Sequence, residues 1–167
     1  MKLLLGLVAG LMGLQQVAIA DHATLERLAR EMGTTGTNLY YGARQVLGPY
    51  PTYKQRYAFE HVSFFHNAAH RFERVVGARE ESTSRDHASD VQYAFRQLDY
   101  DLYNARKTFP DLFYGVVFSE LTSDGSELSE VASTSDIVTR DHPQFGKLEG
   151  YLRYAESLIP QIRNNLP

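Results

Sequence analysis

Glu60, His61, His66, His70 and Glu73 gather in one short stretch. On a helix turning about 100° per residue, His66 and His70 lie about 40° and one turn apart, with Glu73 on the same stripe. His61 points about 140° away from His66 and does not join them. An i,i+4 imidazole pair is a bite for zinc or copper, because two ring nitrogens converge on one divalent ion. Bundle metal sites complete such a set from facing helices.

The facing residue follows from heptad position. With Val62 at position a, His66 and Glu73 are e positions; counted from Ala88, the next segment places Gln92, Asp99 and Arg106 at e. In an antiparallel hairpin turning near residues 82–83, Asp99 comes level with His66 and Glu73 with Gln92. The candidate metal set is therefore His66, His70, Glu73 and Asp99, with zinc or copper as the ion. A plainer reading uses the same residues: His66 and Asp99 pair across the helix interface, and His70 faces solvent. Haem b is a further bundle cofactor with His or Met ligands. Met32, the one methionine after residue 20, sits on an apolar seam as a core residue would.

Four segments repeat one apolar spacing: Leu25–Val46, Ala58–Val76, Ala88–Phe109 and Phe145–Leu166. Each alternates steps of three and four, the a/d seam of helices packed side by side. The expected fold is an all-α four-helix bundle, up-and-down, with a long connection holding a short extra helix between helices three and four. Gly48-Pro49 and Pro51-Thr52 separate the first two helices, and Gly77 with Glu81-Ser82-Thr83-Ser84 the next two. Phe109-Pro110 ends the third helix, because proline disfavours helical geometry in the residue before it. Asp141 before His142-Pro143 reads as an N-cap with proline early in the fourth helix. Gly33-Thr34-Thr35-Gly36-Thr37 weakens the first helix. Close helix packing or a kink is expected there; the sharper alternative is a break that opens backbone to a ligand.

The third connection has its own chemistry. After Pro110, Leu112, Phe113, Val116, Val117 and Leu121 keep a helical period, and residues 122–136 are rich in Ser, Thr, Asp and Glu. Between 111 and 141, Asp111, Glu120, Asp124, Glu127, Glu130, Asp136 and Asp141 face one basic residue, Arg140. A solvated loop is expected; the order of acids is not that of an EF-hand.

Lys2, the apolar run Leu3–Leu14 and Ala18-Ile19-Ala20 before Asp21 have the form of a cleaved secretory signal, residues 1–20. The remaining 21–167 form a single domain. Only Lys2 among the charges is lost with the leader, which leaves 147 residues with 16 basic and 20 acidic side chains, net −4. No later stretch is long enough to span a bilayer. With no cysteine in the chain, disulfides, thiolate metal sites and cysteine nucleophiles are excluded. The absence of N-x-S/T sequons adds to this, and the expected location is a bacterial periplasm or the exterior.

The acidic balance and scattered basic residues argue against nucleic acid as a partner. No nucleophile elbow, zincin, phosphate-loop or dinucleotide motif is present. The expected role is a non-catalytic binding or interaction module for a small ligand or an envelope protein, the alternative being zinc or copper binding. Tyr93, Tyr100, Tyr103, Tyr151 and Tyr154 fall off the seams. They border a core or form a ligand- or partner-binding face.

Overall fold

Each apolar seam becomes the buried face of a helix. The computed structural model describes residues 2–78, 84–114 and 142–167, with side chains from His22 onward in the first helix and from Asp86 onward in the third. Among these residues there are four α-helices and no strand: α1 (Lys2–Val46), α2 (Tyr53–Gly77), α3 (Ser84–Thr108) and α4 (Phe145–Asn164). No helix among them is long and apolar enough to cross a membrane.

Cross-helix contacts give the directions. Gly33 lies against His70 and Glu73, Gly36 against Ala69, and Tyr40 against His66, so α1 and α2 are antiparallel. Gln55 at the start of α2 reaches the Leu112 carbonyl beyond the end of α3, while Phe72 near the end of α2 meets Phe95, which pairs α2 and α3 the same way. Asp99 bonds Arg163, and Arg106 reaches Glu149 and Glu156 on α4. Leu148 packs at Gly42 and Tyr154 reaches Glu31, closing α4 onto α1. The result is the expected up-and-down bundle, with α2 between α1 and α3 and α4 bridging the other side. Its core holds Phe65, Phe72, Phe109, Leu28, Met32 and Leu152, each with essentially no exposed surface. Every such side chain contributes about 1.5–3 kcal/mol by leaving water.

The punctuation works through identifiable bonds. Thr52 caps α2: its hydroxyl accepts the Gln55 N–H at 3.2 Å, and the Gln55 side chain accepts the Thr52 N–H at 2.9 Å. The same hydroxyl donates to the Tyr114 carbonyl at 3.2 Å, and Gln55 Nε2 donates to the Leu112 carbonyl at 3.1 Å. One capping box therefore also anchors the chain leaving α3. That chain is a 3-10 turn, Phe109–Phe113, joined directly to α3. The short extra helix read from Leu112 onward thus takes this tighter form at its start. Its continuation, with the acidic stretch 115–141 and Asp141, lies outside the described residues.

The fourth helix starts later than expected. Gln144 is its N-cap; His142 Nδ1 accepts the Gln144 N–H at 3.2 Å, and the His142 carbonyl accepts the Phe145 N–H at 2.9 Å. His142 and Pro143 form the turn that precedes the helix.

Through Gly33–Thr37, α1 does not break. Thr35 and Thr37 donate back to the Glu31 and Gly33 carbonyls at 2.7 and 3.0 Å. Both glycines are buried against α2. A Cβ on Gly36 would sit 3.2 Å from the Ala69 Cβ and 3.4 Å from the His66 Cα. The glycines are there because two helix backbones approach closely, the packing alternative rather than the ligand opening.

Candidate functional site

The close approach at Gly33 and Gly36 aims the histidine stripe of α2 at α1. His66 stacks on Tyr40 with ring centroids 4.8 Å apart, and the His70 ring meets it edge-on at 4.7 Å. His66 Nδ1 is buried with no hydrogen-bond partner. Burial, and after it the neighbouring His70, hold His66 below the ordinary histidine range and favour the neutral ring. His70 spans the interface: Nδ1 lies 3.2 Å from Glu73 Oε2, and Nε2 lies 2.8 Å from Thr37 Oγ1. The Glu73 carboxylate only accepts, so His70 Nδ1 carries the hydrogen there, and the single Thr37 hydroxyl proton faces both the Gly33 carbonyl and His70 Nε2.

Three of the four candidate ligands, His66, His70 and Glu73, are thus together, and the fourth is not. Asp99 has the expected height, since Phe72 meets Phe95 and Arg71 covers Tyr93. Its face differs: Asp99 Oδ2 accepts from Arg163 of α4 at 3.0 Å. The expected pairing of Asp99 with His66 is corrected on this point. An e position on α2 borders α1 as readily as α3, and the glycine approach draws the stripe to α1. Both His70 nitrogens are committed, and among the described residues no three His, Asp or Glu side chains are grouped to hold a metal ion. Met32 lies in the core with no exposed surface.

The opposite flank of α2 is built differently. Tyr53, Tyr57, His61 and Phe64 form a ladder of rings along its outer face, with successive centroids 6.3, 4.7 and 6.0 Å apart. The ladder ends at a groove of about 470 Å³ between α2 and α3. Phe64 and Tyr100 offer it their rings, 45% and 63% exposed. Asn67, Arg71, Gln97 and Asn104 supply polar groups along its length.

Also lining the groove is Asp101, a residue only 8% exposed. Gln97 Nε2 donates to Asp101 Oδ2 at 2.9 Å. Among the described residues no Lys, Arg or His stands within ion-pair distance of Asp101. Buried carboxylates are ordinarily paired, and an ionised carboxylate accepts up to about four hydrogen bonds.

A second cleft, of about 570 Å³, lies between α1 and α4, where Glu31 gathers bonds from both helices while Thr34, Asn38 and Tyr151 also line the wall. Tyr154 donates to Glu31 Oε2 at 2.7 Å, Arg27 also bonds Glu31, and Thr35 is turned back onto the Glu31 carbonyl. The Tyr154 bond lowers the Glu31 pKa and raises that of Tyr154, as expected of a bond that the charged carboxylate accepts. This cleft is a latch that ties α4 to α1.

Sequence reasoning placed Tyr100 on a possible binding face but missed Asp101 and the groove. No local signal marks it: Asp101 precedes the seam residue Leu102 just as Asp90 precedes Val91, yet Asp90 is exposed.

Fold and groove together define a four-helix bundle with an aromatic-lined cleft between α2 and α3. No protein-family model, curated protein or solved structure matches the chain.

Proposed function

We propose that this chain is an exported, non-catalytic binding protein that takes a small polar ligand into the α2–α3 groove. The observation that carries the reading is Asp101, a nearly buried carboxylate with one amide donor and no cation, lining a cleft with exposed rings. A ligand that donates to Asp101 while covering Phe64 and Tyr100 recovers hydrogen bonding and apolar burial in one event. The groove volume, about 470 Å³, falls within the roughly 300–1,000 Å³ typical of small-molecule sites. Export is supported by the Lys2, Leu3–Leu14 and Ala18-Ile19-Ala20 pattern.

The test is a thermal-shift screen against trisaccharides, dipeptides and polyamines, run on the intact chain and on Asp101→Asn. At least one class should raise the Tm of the intact chain and fail to raise that of the variant. No shift from any class would overturn the reading. For export, the mass of the protein recovered from a bacterial periplasm should correspond to a chain beginning at Asp21.

A further inference from the structure

We infer that the ligand of the α2–α3 groove is a neutral saccharide; this rests on the ligand-binding reading above. Arg71 and Asp101 cancel within the groove, so neither a net cation nor a net anion is drawn in by the local field. The lining also carries the His61 ring, the Tyr100 hydroxyl and three amides, Asn67, Gln97 and Asn104, and each amide both donates and accepts. Arg71 only donates, and ionised Asp101 only accepts. A ligand matching this set must itself present many groups that do both, which is the property of vicinal hydroxyls.

Planarity and preorganisation follow. Amide, carboxylate and guanidinium are flat and two-pronged, so each can engage two neighbouring hydroxyls at once. Asp101 is held by Gln97 at 2.9 Å, and the Asn104 amide donates to the Tyr100 carbonyl at 3.0 Å. Both lose little freedom on binding, which lowers the cost of association. Asn67, by contrast, is exposed with no side-chain hydrogen bond among the described residues and is available to a ligand.

The rings complete the match. A pyranose has an apolar face of C–H groups beside its hydroxyls, and Phe64 and Tyr100 present open aromatic surface next to the amides. A polyamine would use Asp101 and the rings but meet Arg71. A dipeptide would use both charges yet offer fewer dual donor–acceptor groups than the three amides can serve. The ring ladder Tyr53–Tyr57–His61 continues the platform beyond the groove, which suits a chain of sugar units rather than a single one.

The experiment is calorimetric titration with maltotriose, cellotriose and chitotriose, with a dipeptide and spermidine as comparators. The proteins are the intact chain, Asp101→Asn and Phe64→Ser, each checked for an unchanged circular dichroism spectrum. Asp101→Asn keeps the shape of the side chain, and Phe64 is surface-exposed, so both variants should fold. At least one trisaccharide should bind the intact chain, with affinity falling about tenfold to a hundredfold in Asp101→Asn. Co-sedimentation with insoluble cellulose, chitin and peptidoglycan separates a polymer ligand from a soluble oligosaccharide. Saccharide binding that both variants retain would overturn the site. Binding of the dipeptide or spermidine alone, lost in Asp101→Asn, would overturn the saccharide class and leave the ligand-binding reading standing. Absence of all binding would overturn both.

Discussion

Replacing each glycine on the inner side of α1 by alanine should separate backbone propensity from helix packing. In a helix interior, glycine to alanine gains about 1 kcal/mol wherever the new methyl fits. At Gly33 the methyl meets the Glu73 carboxylate, the far end of a side chain about one-third exposed that can swing into water. The loss is one partly exposed His70–Glu73 contact, worth about 0–1 kcal/mol. Gly33→Ala should therefore be neutral or stabilising by up to about 1 kcal/mol.

At Gly36 the neighbours cannot turn away, because they are the Ala69 Cβ at 3.2 Å and the His66 Cα at 3.4 Å. Carbon atoms pack best at about 3.5–4.0 Å, so α1 and α2 must part by several tenths of an ångström. Overpacking of this kind costs about 1–3 kcal/mol, which leaves a net loss of up to about 2 kcal/mol. Gly42→Ala drives its methyl into Leu148, which is fully buried and must change rotamer inside the core, so a similar loss is expected. Urea denaturation followed by circular dichroism, with a common m-value, measures all three. The gap between Gly33→Ala and Gly36→Ala should reach up to about 3 kcal/mol, with Gly33→Ala the more stable. Equal destabilisation at the two positions, or a stabilised Gly36→Ala, would refute the reasoning.

His66 should make stability depend on pH. Its folded pKa is depressed below the ordinary 6.5, so the unfolded chain binds the proton more readily. Stability is unaffected above that value and is lost as pH falls below it; denaturation midpoints measured from pH 7.5 to 5 should show a slope that flattens in His66→Phe. Glu31, whose folded pKa is depressed from 4.5, adds a separate loss at lower pH, which Tyr154→Phe should reduce. Thr52→Ala removes the α2 cap and the bond to the Tyr114 carbonyl together, and should lower stability by about 1–2 kcal/mol in the same urea assay.

The helices were legible because their signal is local. Ala58, Val62, Phe65, Ala69, Phe72 and Val76, read from spacing alone, are all buried on α2. Pro51-Thr52 and Phe109-Pro110 act within a few residues of themselves, so the start of α2 and the end of α3 follow from the chain. The antiparallel order was legible for the same reason, since short links leave neighbouring helices little choice.

Which helix each flank of α2 faces was decided by tertiary structure. His66 and Asp99 share a height along the bundle, yet one stacks on Tyr40 of α1 and the other bonds Arg163 of α4. Heptad position specifies an angle around one helix; it does not say which neighbour fills that angle. That was settled by Gly33 and Gly36, where missing side chains let α1 approach close enough to take the histidine stripe. Turned that way, α2 leaves Phe64, Asn67 and Arg71 opposite Tyr100 and Asp101 across the groove. The sequence by itself determined four amphipathic helices, the breaks between them and their order. Only packing decided that the histidines form an internal seam while a nearly buried carboxylate on α3 faces an aromatic cleft, because that pairing joins residues more than thirty positions apart.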